Sequence, residues 1–325
     1  MRLGLLSTAK INDAIIQGAV GTDAVDVVAV ASRDEAKGQA YAAEKGIERS
    51  HGSYEALLGD DELDAIYISL PNGMHHEWTL NALAAGKHVL CEKPYTRVPT
   101  DVDEAFDAAE AAGLVLMEAF MYRHHPQTKE IERLVREGAV GRLRAVHAVF
   151  SFPLTDLTNI RANAELAGGA LMDVGCYCVS GARIVAGDPV SVFAEQVVVD
   201  NGIDMATYGT MRFWDEVVAQ FEASFLAPER QSLEIVGSDG VLRADAPWRL
   251  DWGGDLTLVR NGEREVISVA EANSYTCQLE NFAAAAAHEA PALLGRGDAT
   301  AQARVIDALY RSAAEGASVS LAVEV

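Results

Sequence analysis

Lys93, Asp173 and Tyr177 are the residues of this chain whose types and spacing suit proton and hydride chemistry. Lys93 lies in the stretch Lys87-His88-Val89-Leu90-Cys91-Glu92-Lys93-Pro94, where a short apolar run reads as a buried strand that ends in an acid, an amine and a proline. In a doubly wound sheet the carboxyl ends of strands are where ligands bind, so an amine placed there is held by the scaffold, with Glu92 as a partner. The bond to Pro94 is a candidate cis peptide, which would fix the turn. Taken alone, the tripeptide reads equally as a surface turn with two solvated charges.

Asp173 and Tyr177 are four residues apart, so on a helix they share one face. Oxidising an alcohol needs a base to take the hydroxyl proton while hydride departs. A free phenol, with a pKa near 10, is a poor base at neutral pH, and a neighbouring ammonium favours its ionised form. The expected roles are Tyr177 as acid and base, Lys93 as the stabiliser of its phenolate, and Asp173 as an orienting group. By themselves Asp173 and Tyr177 also fit a helix cap and a half-buried aromatic. His75-His76 and His124-His125 are adjacent pairs whose members point to different sides, so neither pair is a metal site, and hydride chemistry done by a cofactor needs none.

The elements that must position these groups fall into two sets. Over the first 120 residues, apolar runs at 3–6, 25–31, 65–70, 89–91 and 114–118 alternate with helical stretches at 11–20, 35–45, 77–85 and 102–112. This alternation predicts an α/β N-terminal Rossmann domain with a parallel doubly wound sheet. A linking helix at 126–137 and a lone helix at about 170–185 follow. Between and beyond them lie closely spaced strand-like runs at 144–152, 191–199, 205–214, 216–225, 231–236, 242–244, 256–259 and 265–269, with hairpin signals at Asn201-Gly202 and Asn261-Gly262. Helices at 275–289 and 300–315 and a strand at 319–323 complete an α+β C-terminal domain with a large open, mostly antiparallel sheet. The expected boundaries are 1–121 and 122–325.

The 325 residues suit two domains and a sizeable core without staples. With 26 basic and 48 acidic residues, the net charge is −22, and such a surface repels nucleic acid and anionic membranes. Four cysteines with no C-x-x-C spacing favour a reduced, cytoplasmic setting. No apolar run reaches the 18 or so residues of a spanning helix, and Leu3–Leu6 is too short for a signal core.

A dinucleotide's pyrophosphate would sit at the turn Ser7-Thr8-Ala9-Lys10-Ile11, on the N-terminus of the following helix. The glycines of the usual fingerprint are replaced by Ser7, Ala9 and Asn12, and the Ser7 hydroxyl is a candidate phosphate contact. The end of the second strand offers Ser32 and Arg33, with Lys37 one turn on, where NAD would need a free carboxylate. Asp34 is expected at the helix N-cap, so the reading is NADP over NAD.

With Cys91-Glu92-Lys93-Pro94 in place, the chain resembles the Gfo/Idh/MocA oxidoreductases. Ser69-Leu70-Pro71-Asn72 followed by His75 resembles the family's turn beneath the nicotinamide ribose. Met117-Glu118-Ala119-Phe120-Met121-Tyr122-Arg123 with His125-Pro126-Gln127 resembles the interdomain segment of the branch that holds dimeric dihydrodiol dehydrogenase and NADP-dependent D-xylose dehydrogenase. Gly168 to Tyr177 resembles that branch's catalytic helix, with Tyr177 where many members carry His. His124 departs from the pattern. The resemblance implies catalytic Lys93, Asp173 and Tyr177. It also implies cofactor contacts from the first turn, from Leu70, Pro71, Asn72, His75, Glu92 and Lys93, and from Arg123.

The implied activity is NADP-dependent oxidation of an aldose at C1, D-xylose or D-glucose, with oxidation of an aromatic trans-dihydrodiol as the alternative. A non-catalytic NADP-binding sensor is the reading from another class, and retention of all three catalytic residues argues against it. Relatives commonly pair through the open sheet face, which implies a homodimer or homotetramer. Phe213, Trp214, Phe221, Phe225, Trp248 and Trp252 are candidates for that interface, or for plain core packing.

Overall fold

A computed structural model describes residues 1–321, without the Trp252 side chain. The chain divides into two compact units, one of residues 1–124 and 272–300, the other of 125–271 and 301 onward.

In the first unit the order is β1 (Arg2–Leu5), α1 (Asn12–Val20), β2 (Asp26–Ala31), α2 (Glu35–Lys45), β3 (Arg49–His51), α3 (Tyr54–Leu58), β4 (Ala65–Ile68), α4 (His75–Ala84), β5 (His88–Cys91), α5 (Pro99–Ala112) and β6 (Leu116–Glu118). The strands pair in parallel in the order β3-β2-β1-β4-β5-β6, so the topological switch falls between β1 and β4. Leu3, Leu5, Ala65, Ile66, Val89 and Leu90 are fully buried, as expected for strands covered on both faces. The expected Rossmann domain is present. β3 and α3 add one strand and one helix to the predicted alternation; at three and five residues they are too short to show a period. Asp34 caps α2 as expected, its carboxylate accepting from Lys37 N at 3.1 Å.

The second unit contains α6 (Pro126–Arg136), β7 (Leu143–Ser151), a π-turn at Leu171–Gly175 running into α7 (Cys176–Ala186), and then β8 (Ser191–Val198), β9 (Asp204–Arg212), β10 (Val218–Ser224), β11 (Arg230–Gly237), β12 (Gly240–Ala244), β13 (Leu256–Arg260) and β14 (Glu263–Ile267). The chain continues through α8 (Ser274–Ala286), α9 (Arg296–Glu315) and β15 (Val319–Ser320). The nine-stranded sheet runs β14-β13-β12-β11-β7-β10-β9-β8-β15, antiparallel at every described pairing except β7 with β10. Residues 322 and 323 of the expected final strand lie outside the described residues.

The expected boundary differs from the observed division at α8, which belongs to the first unit. Its Thr276 Oγ1 donates to Gly18 O of α1 at 2.8 Å, and a Cβ at Gly18 would press on the Tyr275 backbone. The segment 164–186 also corrects the expectation about apolar runs. By length and composition it matches a spanning helix, yet it is mostly buried inside the protein.

Strand parity decides the open face. Val146, Ala148 and Phe150 of β7 pair in register with Ala219, Phe221 and Ala223 of β10, and all six are buried on the side that α7 covers. Phe213, Phe225 and Trp248 are buried too, so four of the aromatics proposed for an interface are core residues. Trp214 is exposed, and the Trp252 side chain lies outside the described residues. Large apolar residues exposed on the open face include Phe193 and Val197 of β8, Tyr208 of β9, Val259 of β13 and Val266 of β14.

Candidate active site

The end of β5 in the first unit is built by its neighbours. Tyr67, fully buried in the middle of β4, donates its hydroxyl to Glu92 Oε1 at 2.5 Å. Burial, and then the charge of Glu92, pushes the Tyr67 phenol well above its ordinary value, so it serves as a donor. The second oxygen of Glu92 accepts the amide of Lys93 at 3.3 Å, which anchors the residue that carries the amine. Glu92 is therefore a positioning group and not a solvated charge. The Lys93–Pro94 peptide is cis, as the sequence suggested.

Two further residues hold the same turn. Glu118, at the end of β6 and almost fully buried, accepts Tyr95 N at 2.8 Å. His75 has one ring nitrogen 3.0 Å from Pro94 O and the other 2.9 Å from Leu70 O. Burial lowers its pKa, so the ring is neutral and donates to one carbonyl at a time. His75 was expected beside the cofactor; the structure buries it completely, as a staple between the turns after β4 and β5. Leu70, Pro71 and Asn72 form the first of these turns.

At the switch point the degenerate fingerprint has a local solution. Asn12, at the third glycine position, is fully buried and donates Nδ2 to Ser7 O at 2.7 Å, closing the turn with its side chain. The Ser7 hydroxyl lies 2.7 Å from Ser69 Oγ and accepts Ala9 N at 3.1 Å. It zips the ends of β1 and β4 together, a different use from the expected phosphate contact. Thr8, Ala9 and Ile11 are partly exposed and Lys10 is exposed, so the backbone of this turn remains open to a ligand.

At the end of β2, Ser32 is buried with its Oγ accepting Asp34 N at 3.2 Å, while Arg33 and Lys37 are exposed. With Asp34 engaged as a cap, this strand end presents two cations. That donor set fits a dinucleotide bearing a 2′-phosphate better than one bearing free ribose hydroxyls. Arg123, expected at the cofactor, has its guanidinium 3.3 Å from Asp298 in the first turn of α9, within the same unit, and both side chains are largely buried.

Asp173 and Tyr177 lie in the second unit, on the π-turn and the first turn of α7. The sequence predicted a plain helix there. A π-turn holds more residues per turn, so groups four apart fall more nearly in line than on an α-helix, and such insertions often mark functional sites. Tyr177 is 6% exposed, with Phe150 edge-on at 5.4 Å and Trp248 at 6.0 Å between ring centres. Trp248 is itself fixed by Nε1 donating to Val149 O at 3.0 Å.

The start of the π-turn rests on groups the sequence reading passed over. Asp204, nearly buried, accepts from Leu171 N at 2.7 Å, Thr207 Oγ1 at 2.8 Å and Tyr310 at 3.0 Å. Gly169 has φ +115°, and a Cβ there would strike the Asp204 carboxylate; a Cβ at Gly168 would strike the Arg161 carbonyl. Arg161 Nε donates to Asp173 Oδ2 at 2.6 Å. Glu118 was within reach of sequence reasoning, as an acid at a strand's carboxyl end beside that of Glu92. Asp204 and Arg161 carried no such signal.

A Rossmann unit with a lysine at a strand's carboxyl end, and an α+β unit with a tyrosine on an aromatic-backed helix, are the parts of a nicotinamide-dependent oxidoreductase. The chain belongs to the GFO/IDH/MocA oxidoreductase family, whose NAD-binding Rossmann domain matches residues 7–120 and whose C-terminal domain matches residues 128–243. It is 41% identical to D-xylose 1-dehydrogenase (NADP(+)) 2 of Haloferax volcanii, over 99% of this chain and 100% of that one. It is 33% identical to trans-1,2-dihydrobenzene-1,2-diol dehydrogenase of Xenopus laevis, over 74% of each chain. Among solved structures, aldose–aldose oxidoreductase of Caulobacter crescentus with glycerol superposes with a TM-score of 0.91, at 26% identity and covering 99% of each chain.

Proposed function

We propose that this protein is an NADP-dependent dehydrogenase that oxidises an aldose at C1, with D-xylose and D-glucose the first substrates to test. The observation that carries the reading is the 41% identity, end to end, with an enzyme named D-xylose 1-dehydrogenase (NADP(+)). The exposed pair Arg33 and Lys37, beside an Asp34 already engaged as a cap, supports the choice of cofactor.

When bound, the nicotinamide supplies the hydride acceptor. The chain's own groups handle the proton. Tyr177 takes it from the sugar hydroxyl at its phenolic oxygen, Lys93 stabilises the phenolate, and Asp173 orients the reacting group. Glu92, Glu118 and His75 hold the turn that carries Lys93. The aromatic backing of Tyr177 by Phe150 and Trp248 favours one second reading, oxidation of an aromatic trans-dihydrodiol. A homo-oligomer formed through the open sheet face is supported by the exposed Phe193, Val197 and Tyr208. Four free thiols, three of them buried, accord with a reducing cytoplasm.

The test is absorbance of the reduced cofactor, with NADP and NAD separately, across a panel of aldoses and one dihydrodiol. Reduction of NADP by a pentose or hexose supports the reading; turnover of the dihydrodiol alone moves it to the second. In the same assay Arg33→Ala is expected to raise KM for NADP by about 10- to 100-fold, the range of one charge-assisted hydrogen bond, and to leave KM for NAD unchanged. Equal effects on both cofactors would remove Arg33 from the 2′-phosphate site.

A further inference from the structure

Arg161 lies in the short turn Ile160–Ala162 beyond β7, and two separate links tie that turn to the segment entering the π-turn. One is the ion pair of its Nε with Asp173 Oδ2 at 2.6 Å. The other is main chain: its carbonyl accepts Gly169 N at 2.9 Å, in a gap that Gly168 keeps clear. The turn is held from outside as well. Asn159 caps it by accepting Arg161 N at 3.1 Å, and Asn201 Nδ2 donates to Ala162 O at 2.8 Å. The guanidinium sits 5.8 Å from the centre of the Phe152 ring, in cation–π range. An arginine restrained at this many points loses little further freedom in pairing, unlike an ordinary surface pair.

The pair is asymmetric, with the Arg161 side chain 40% exposed and that of Asp173 only 15%. A carboxylate so withdrawn from water acts strongly on neighbouring titrating groups, and a like charge opposes ionisation. Tyr177 is the neighbour in line one turn on. We propose that Arg161 is a positioning residue of the reaction: its guanidinium holds Asp173 in place and offsets its charge beside Tyr177, so that the phenolate forms near neutral pH. The inference rests on the reading of Tyr177 as the acid and base.

Several groups described on the elements packed around Tyr177 are uncharged or already engaged. β7 offers Phe150 and the segment after β12 offers Trp248, both uncharged. The face that α6 buries, with Gln127, Thr128, Ile131 and Leu134, is uncharged. Burial pushes the Cys178 thiol up, so it stays neutral. Glu222 of β10 is paired with Arg230 at 3.4 Å, and Asp204 of β9 is engaged at the start of the π-turn. Lys93 is the cation that the proposed mechanism already assigns to this phenol.

The experiment labels tyrosine with 13C at Cζ in the full chain, assigns Tyr177 as the resonance lost in Tyr177→Phe, and titrates it in parallel with the pH profile of kcat. Arg161→Gln is expected to move the Tyr177 titration up by about one unit, lowering kcat on the acid side of the profile about tenfold. Arg161→Lys is expected to recover most of the shift, and Arg161→Gln with Asp173→Asn to reverse it. Asp173→Asn alone, which keeps the arginine, is expected to titrate below the wild type. It decides the matter where Arg161→Gln does not fold. A titration unmoved by Arg161→Gln, or one not lowered by Asp173→Asn, overturns the proposal. The two readings fail separately. Shifts of the expected sign in a protein that oxidises no alcohol keep the coupling of Arg161 to Tyr177 and sink the dehydrogenase, whereas a working dehydrogenase with an unmoved titration does the reverse.

Discussion

Tyr177→Phe is expected to lower kcat for alcohol oxidation by about 10²- to 10⁴-fold, the usual worth of a positioned acid or base. The substitution removes one oxygen and keeps the ring, so the contacts with Phe150 at 5.4 Å and Trp248 at 6.0 Å survive. Thermal melting should therefore stay close to that of the wild type while turnover collapses, and KM for the cofactor should not move. Steady-state kinetics beside a melting curve separate the two effects. Retained turnover in the variant would remove Tyr177 from proton transfer and pass the role to another group. A melting temperature that fell with the activity would show the hydroxyl to be structural. Lys93→Met is the companion measurement, expected to reduce kcat by displacing the acid limb of the pH profile upward, because in the proposed mechanism phenolate formation then lacks its ammonium.

Much of this site was legible in the sequence, and the reason is periodicity. The strands ending at Leu5, Ala31, Ile68 and Cys91 are short apolar runs closed by turn residues, so both the parallel sheet and the residues at its carboxyl edge follow from pattern. The Asp34 cap was legible for a similar reason, since its chemistry is local. What escaped is non-local or a matter of parity. Arg161 and Asp173 are twelve residues apart across two turns, and no spacing rule joins them. The π-turn is one residue's worth of register inside an otherwise ordinary apolar helix, and composition does not record it. The grouping of α8 with the first unit depends on a tertiary contact between Gly18 and Thr276 that no local signal anticipates. The choice between interface and core for the aromatic candidates turned on parity. The register that pairs Phe221 with Ala148 sends its ring to the covered side, and a reading from hydrophobicity alone cannot choose between faces.

The largest stability effect is expected at Asp204. Three donors converge on its carboxylate, from Leu171 N and Thr207 Oγ1, both buried, and from the half-buried Tyr310. Asp204→Ala strands them together, and at about 1–3 kcal/mol for each buried group left unsatisfied the expected loss is roughly 3 kcal/mol or more. Asp204→Asn keeps one acceptor and offers Tyr310 a donor in place of the other, so it should cost about 1 kcal/mol. The pH dependence has a definite sign. Burial raises the Asp204 pKa above its unfolded value despite the three donors. At low pH both states hold the proton. As the pH climbs past the ordinary carboxylate value the unfolded chain ionises first, so the stability linked to this group is lost with rising pH until the folded carboxyl has ionised too. Denaturation followed from pH 4 upward should show that decline in the wild type and a flatter curve in Asp204→Asn, which has no proton to lose. A decline of equal slope in both would assign it to other groups. Because Leu171 N is the first donor of the turn that carries Asp173, Asp204→Ala should also lower kcat in the fraction that remains folded, and that loss ties the buried carboxylate to the geometry of the proposed acid and base.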